Sequence, residues 1–432
     1  MKKILIIILL FSLFITQCLI KAQKKPSLKT TKKTSVKRRP TTRKPTIKIT
    51  TKKVIKPPTK TTARTTTKST PKPTTIRIYT LRKIPPYAKD SIIYIYVPKT
   101  HYQKIAKIFG EISINAGVEC LVNYRSPIKN KIGINFYEIS KESNKLNISY
   151  DENIPTEVYL HKDDYQNTSR LLFYIGLSLG LITEFSTFDR QRYVEINYDN
   201  IKDDYKKYYD QIQGPITYRF SLFDFGSAML SDQLFGSIDN KKPTYTFKYP
   251  YNKYQKLYDE KKTFSHNDYK HFTKFYSINN CSIDDNDCYN GGYIVNVCNQ
   301  CICPSYFQGN RCKDLKISSG NCGFNRYSLA TTELDFIAEK NLSGECYYTI
   351  TASFGKRIKI VVETLILPNN KCSTDDDHLG ILHRFDNGVE PLTICKNTTN
   401  LEIISETPKV YVHFKITKGP NLLVISFQEV DY

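Results

Sequence analysis

The seven histidines of this 432-residue chain, His101, His161, His266, His271, His378, His383 and His413, are the side chains best suited to hold a metal or carry a proton near neutral pH. A hydrolytic zinc ion takes three nitrogen, oxygen or sulfur ligands and keeps a fourth position for a water, whose pKa it brings down to about 7. Two histidines four apart supply two of those ligands from one side of a helix. The stretch with the makings of such a helix, residues 171–179, carries Leu171, Leu172, Phe173, Ile175, Leu177 and Leu179 instead. It is apolar on nearly every side, the pattern of a buried core helix. No histidine stands at ligand spacing beside it, and His266 and His271 read as neighbours on an exposed helix.

The elements that would position any chemistry here are short and mixed. Ile92-Ile93-Tyr94-Ile95-Tyr96-Val97 reads as a strand, and Tyr102, Ile105, Ala106, Phe109 and Ile112 recur at helical spacing, giving one apolar face. Cys120-Leu121-Val122-Asn123-Tyr124, Ile132-Gly133-Ile134-Asn135-Phe136 and Glu157-Val158-Tyr159-Leu160 add short strands before the apolar helix. Composition alone defines only a mixed α and β protein.

The run Phe173-Tyr174-Ile175-Gly176-Leu177-Ser178-Leu179-Gly180-Leu181-Ile182-Thr183-Glu184 is followed by Asp189-Arg190-Gln191-Arg192-Tyr193-Val194-Glu195-Ile196-Asn197-Tyr198-Asp199-Asn200-Ile201. Together they resemble the astacin family of metzincin proteases, which carries H-E-x-x-H-x-x-G-x-x-H-E and then a D-R-D-x-Y-V-type run. On this resemblance Phe173, Leu177 and Thr183 stand at the three zinc-binding histidines and Tyr174 at the catalytic glutamate, while Leu179, Gly180 and Glu184 still match. Phenylalanine and leucine have no lone pair to give, and Thr183 has only a neutral hydroxyl. A phenol titrates near pH ~10 and is a poor substitute for a carboxylate base. Phe223-Asp224-Phe225-Gly226-Ser227-Ala228-Met229-Leu230-Ser231 resembles the family's Met-turn, Y-D-Y-x-S-x-M-H-Y. Met229 is the only methionine besides Met1, and Ser231 takes the place of the tyrosine that reaches the metal. The resemblance implies an α+β, two-lobed metzincin-like domain over residues 87–278, without a catalytic residue, metal ligands or a cofactor.

Composition and charge describe what surrounds that domain. Lys2-Lys3, an apolar run from Ile4 to Ile15 and small or polar residues up to Ala22 form a signal peptide over residues 1–22, too short to span a bilayer. No later apolar run is long enough to be a membrane anchor. Residues 23–86 form a Thr/Lys/Pro-rich stalk with 21 Lys and Arg between positions 24 and 83, which is most of the net charge of +23. Such a segment buries too little apolar surface to offset its ordering entropy and reads as disordered. Its Thr/Pro content suits O-glycosylation, and its charge suits salt-dependent contact with anionic glycans. A secretory route argues against nucleic acid as a partner.

The cysteines extend the picture. Cys281, Cys288, Cys298, Cys301, Cys303 and Cys312, with Cys288-Tyr289-Asn290-Gly291-Gly292-Tyr293 and Gly309 before Cys312, resemble an EGF-like module over residues 281–312. In a small secreted module six cysteines point to disulfides rather than to zinc. The resemblance implies Cys281–Cys298, Cys288–Cys301 and Cys303–Cys312. Residues 322–430, with Cys322, Cys346, Cys372 and Cys395 and strands such as Arg357-Ile358-Lys359-Ile360-Val361-Val362 and Leu422-Leu423-Val424-Ile425-Ser426-Phe427, resemble a CUB β-sandwich. That implies Cys322–Cys346 and Cys372–Cys395. Asp375, Asp376 and Asp377 depart from the family's calcium-loop pattern and read as a solvated acidic loop. Astacins pair the Cys120 position with a cysteine after the closing tyrosine, but Tyr276 is followed here by Ser277. Cys120 is therefore expected to be a free, buried thiol.

Sequons at Asn147, Asn167, Asn341 and Asn397 are open to N-glycosylation in a secreted chain, and a fifth at Asn280 is set aside because it adjoins Cys281. The order astacin-like, EGF-like, CUB resembles nematode members of the family. Three functions remain in view. One is a catalytically inactive, secreted binding protein for extracellular proteins or peptides, taking an extended peptide onto an edge strand. The second is an active zinc metalloendopeptidase with other ligands, and the third a glycosylated matrix component.

Overall fold

The computed structural model describes residues 84–87, 92–140, 143–211, 221–249, 251–257, 261–276, 287–295, 300–323, 326–369 and 377–431. The chain divides into two compact units, Met1–Thr74 and Thr75–Tyr432, and every described residue belongs to the second. The expected signal peptide, and the stalk up to residue 83, lie outside the described residues.

Alternation of apolar and polar side chains builds the first sheet. In β1 (Ile92–Tyr96) Ile93 and Ile95 are buried while Ile92, Tyr94 and Tyr96 stay half-exposed. With β2 (Glu119–Asn123), β3 (Ile134–Ile139), β4 (Lys145–Asn147) and β5 (Thr156–His161) it forms a five-stranded sheet in the order β2-β1-β3-β5-β4. The first four in that order are parallel, and β4 runs antiparallel to β5 at the edge. Ile93, Ile95, Phe136, Val158 and Leu160 share one core with helix α1 (Tyr102–Ala116) and with α3 (Thr168–Ser178), which follows the short α2 (Lys162–Gln166). The apolar face of α1 is Ile105, Ile108, Phe109, Ile112 and Ala116. Ala106, which the spacing placed on that face, is half-exposed, and Ile108 takes its place.

Below this sheet the chain uses short elements. β6 (Val194–Ile196) pairs antiparallel with β7 (Tyr245–Phe247), and a single turn, α4 (Asp203–Lys206), lies between them in sequence. Helix α5 (His266–Tyr276) buries Asn267, Asp268, Tyr269, Phe272, Thr273 and Tyr276. The expectation of an exposed helix at His266 and His271 is thus overturned. Tyr269, Phe272, Thr273 and Tyr276 recur at helical spacing and form one packed face, and Thr273 Oγ1 donates to Ala116 O at the end of α1 at 3.0 Å. Burial lowers the His266 imidazole to about 4, and both histidines lie only half-exposed.

A small disulfide-rich module follows, with hairpins β8 (Tyr293–Ile294)/β9 (Cys301–Ile302) and β10 (Phe307–Gln308)/β11 (Asp314–Leu315). Disulfides join Cys288 to Cys301 and Cys303 to Cys312. The C-terminal part is a two-sheet β-sandwich. One sheet holds β12 (Ser319–Asn321), β13 (Tyr327–Leu329), β15 (Ser343–Thr351), β17 (His378–Leu382), β18 (Leu392–Ile394) and β20 (Lys409–Ile416). The other runs β14-β21-β16-β19, built from β14 (Asp335–Lys340), β16 (Arg357–Ile366), β19 (Thr398–Ile404) and β21 (Leu422–Val430). Cys322 is bonded to Cys346. Cys281, Cys298 and Cys372 lie outside the described residues, and Cys395 is disulfide-bonded. Asp377 is not in a solvated loop: it is fully buried and accepts from Thr417 N, Thr417 Oγ1 and Asn369 Nδ2. Asp375 and Asp376 lie outside the described residues.

The sandwich is welded to the first domain through loop 383–390. Arg384 is buried, donates to Phe223 O at 2.7 Å, and lies 4.5 Å from the Tyr193 ring and 5.4 Å from the Phe225 ring. Its Nε is 3.8 Å from Glu406. Asp386 accepts from Leu222 N and Asn267 Nδ2, and Glu390 N donates to Asp224. The small module joins in, with Tyr293 Oη donating to Asn115 O and both His266 and Lys270 donating to Gly291 O. Among the described residues no helix is long and apolar enough to cross a membrane.

Candidate functional site

Helix α3 begins where Asn167 accepts from Arg170 N, and it ends in a left-handed turn at Gly180 (φ 82°). There Gly180 N donates to Leu177 O and Leu181 N to Gly176 O, a glycine-terminated helix end. All residues from Leu171 to Ser178 are buried. The helix must also accept a sulfur at close quarters: a Cβ at Gly176 would collide with Met229 Sδ, so glycine is needed there.

The four positions where the resemblance places metal ligands, and the neighbouring base position, are filled by packing. Phe173 is fully buried and makes edge contacts with Phe235 at 4.8 Å, Tyr174 at 5.7 Å and Tyr208 at 6.1 Å. Tyr205 and Tyr208 in turn lie 5.2 and 5.5 Å from Phe235, closing an aromatic plug over the helix. Leu177 is buried as well. Thr183 Oγ1 donates to Tyr208 O at 2.7 Å and accepts from Ser186 N, so its hydroxyl is committed. Tyr174 Oη accepts from Asn144 Nδ2, whose amide also reaches Asp164 and His161 N. Burial drives the Tyr174 phenol well above its ordinary range, the opposite of what a base at pH 7 requires. Ser231 is buried beside Leu230, and its carbonyl takes the Tyr245 hydroxyl. This donor set does not fit a zinc ion.

Charged groups here hold the Met-turn rather than a substrate. Glu184 N donates to Met229 O, and its carboxylate accepts from Asp224 N. Lys261, buried, donates to the carbonyls of Ser227 and Leu230, and burial lowers its ammonium to about 8. Asp268 accepts from Ser227 Oγ, Ala228 N and Ser265 N, yet burial pushes its carboxyl up to about 6. Burial, with the charge of Asp224, pushes Glu390 up to about 7. Asp189 accepts from Phe223 N, and Arg190 donates to the carbonyls of Phe185 and Tyr209.

The histidines are not brought together. His101 pairs with Glu138 at 2.5 Å and stacks on Tyr165, His161 ends β5, His383 lies buried in the weld, and His378 and His413 belong to the sandwich. Among the described residues no group of three or more His, Cys, Asp or Glu is placed to hold a metal ion. Cys120 is a free cysteine, half-buried rather than fully enclosed, and burial pushes its thiol up to about 12. Of the sequons, Asn147, Asn167, Asn341 and Asn397 are all exposed, while Asn167 also caps α3 and Asn397 accepts from Leu367 N. Asn280 lies outside the described residues. Sequence reasoning missed the plug formed by Tyr205, Tyr208 and Phe235, the hold of Lys261 and Asp268 on the Met-turn, and the buried Arg384 of the weld. The aromatic-rich run Tyr205-Lys206-Lys207-Tyr208-Tyr209 was the visible signal for the plug.

Residues 128–277 match the family model of Astacin, a peptidase family. Zinc metalloproteinase nas-34 of Caenorhabditis elegans is 31% identical over 249 residues, covering 57% of this chain and 40% of the relative. Zinc metalloproteinase nas-36 of Brugia malayi is 29% identical over 162 residues, 37% of this chain and 27% of the relative. This chain thus spans less than half the length of either relative. High choriolytic enzyme 1, a hatching enzyme zinc-protease from Oryzias latipes, matches 44% of this chain and 92% of its own at 18% identity, with a TM-score of 0.34. The CUB1-EGF-CUB2 domains of rat MASP-1 match 23% of this chain and 39% of theirs at 18% identity, with a TM-score of 0.20.

Proposed function

We propose that this chain, which carries an astacin-family peptidase domain at residues 128–277, is a secreted pseudoprotease that takes no metal, does no proteolysis and serves as an extracellular binding protein. The observation that carries this reading is the plug of Phe173, Tyr174, Tyr205, Tyr208 and Phe235 at the place where the family motif puts its ligands and its base. Three histidines and a carboxylate have been exchanged for groups that pack against one another. Such an exchange gains apolar burial, roughly 1.5–3 kcal/mol for a phenylalanine side chain, and gives up the metal.

Secretion is supported by the leader-like residues 1–22 and by the disulfides Cys288–Cys301, Cys303–Cys312 and Cys322–Cys346. The same pairings support reading the small module as EGF-like and the sandwich as CUB. Both are scaffolds for protein contact, so the partner is an extracellular protein, a peptide or a matrix component. The stalk, with 21 basic residues, adds affinity for anionic glycans.

The test is zinc per molecule in the secreted, purified protein at neutral pH, with a casein-type proteolysis assay alongside. The expected result is no stoichiometric zinc and no chelator-sensitive cleavage. One tightly held zinc, or cleavage abolished by a chelator, would return the chain to the activity named for its relatives.

A further inference from the structure

Strand β4 is the edge of the five-stranded sheet and borders the altered site, because Asn144, just before it, holds the Tyr174 hydroxyl. Among the described residues it pairs only with β5. A free edge presents unpaired N–H and C=O groups and invites another strand, from a peptide or a second copy. Lys145 and Asn147 are exposed on β4, while Leu146 packs toward the core. Asn147 stands opposite Glu157, on the face that also carries the stacked pair Tyr137 and Tyr159 at 5.0 Å. It is the first residue of the sequon Asn147-Ile148-Ser149, and its side chain makes no hydrogen bond among the described residues. Asn167 caps α3 and Asn397 immediately precedes β19, so neither lies on this sheet edge.

We propose that Asn147 carries an N-linked glycan, and that this glycan shields the free edge of β4 against strand addition beside the altered site. The reaction is transfer from a polyprenyl-diphosphate-linked oligosaccharide. The Asn147 amide nitrogen forms a bond to the anomeric carbon, the bond from that carbon to the diphosphate oxygen breaks, the diphosphate leaves, and the amide gives up one proton. A branched, hydrated oligosaccharide on the outermost strand occupies the space an added strand would need. Protein partners are then met by other surfaces, which leaves the small module and the sandwich. This inference rests on the secretory part of the proposed function.

The full chain is expressed in a eukaryotic secretory host, treated with a glycosidase that converts a glycosylated asparagine to aspartate, and mapped by peptide mass spectrometry. Asn147 is expected to be converted in most molecules. Asn147→Gln, with Asn341→Gln as the control, is then compared with the unchanged chain by light scattering and amide hydrogen exchange. Asn147→Gln is expected to show concentration-dependent association and, where it associates, about tenfold slower exchange of the β4 amides, and the control to show neither. An unmodified Asn147 in a secreted chain overturns the inference, as does an Asn147→Gln variant that stays monomeric with unchanged exchange. Zinc content and proteolysis judge the pseudoprotease reading separately, so the two fail independently.

Discussion

If an aromatic plug has replaced the metal site, cutting Phe173 back to Ala should cost as much as opening a hole in a core. The ring is fully buried and has three aromatic neighbours, with centroids 4.8, 5.7 and 6.1 Å away. Phe→Ala at such a site costs about 3–5 kcal/mol, from lost transfer energy plus the cavity that rigid neighbours cannot fill. Edge contacts of this kind add about 0.5–1.5 kcal/mol each beyond burial, which favours the upper half of that range. With a urea dependence of about 2–3 kcal/mol per molar, the midpoint should fall by roughly 1–2 M. Urea unfolding followed by tyrosine emission reads this directly, since the chain has 32 Tyr and no Trp. Amide exchange in α3 should rise in parallel. A loss under about 1 kcal/mol would refute the reasoning, because it is what a ring lining an open, wet cleft would give.

The remaining predictions concern the weld, its acid groups and the lone thiol. Arg384→Met should cost about 3–5 kcal/mol, because it removes the cation beside the buried Glu406 carboxylate and the donor of the Phe223 carbonyl, and limited proteolysis should then separate sandwich from domain faster. Glu390→Gln should change the pH dependence of stability in a defined sense. Its folded pKa, about 7, lies above the ordinary 4.5, so the protonated carboxyl favours the fold below pH 4.5 and that advantage is lost as pH rises toward 7. Relative to the Gln variant the unchanged protein should lose roughly 2–3 kcal/mol over that interval, and parallel curves would contradict it. Cys120 should react slowly with a disulfide reagent at neutral pH and rapidly once unfolded, since burial holds its thiol up at about 12. Equal rates in both states would mean an open thiol.

Much of the fold could be read from residue patterns because those patterns report local physics. Alternation in β1 and β5 and the apolar run of α3 determined strand, helix and burial by themselves. The exception at Ala106 arose because it stands four after Tyr102 and three before Phe109, while Ile108 stands three after Ile105 and four before Ile112, and the larger isoleucine buries more apolar surface. The helix holding His266 and His271 reads as polar because its packed residues are tyrosines and threonine, whose hydroxyls find partners only after folding. Asp377 looks like a loop acid until Thr417, distant in sequence, supplies its donors.

The division at the altered site follows the same line. That Phe173, Leu177, Thr183 and Tyr174 lack the lone pairs and carboxylate of a zinc hydrolase is a property of the residues, and the sequence determined it alone. What fills those positions depended on the tertiary structure, because Tyr205, Tyr208 and Phe235 reach the helix from positions 32 to 62 residues beyond Phe173. The same holds for Lys261 at the Met-turn and Arg384 in the weld: a charge is tolerable in a core only where carbonyls and carboxylates converge on it, and convergence is decided by the fold.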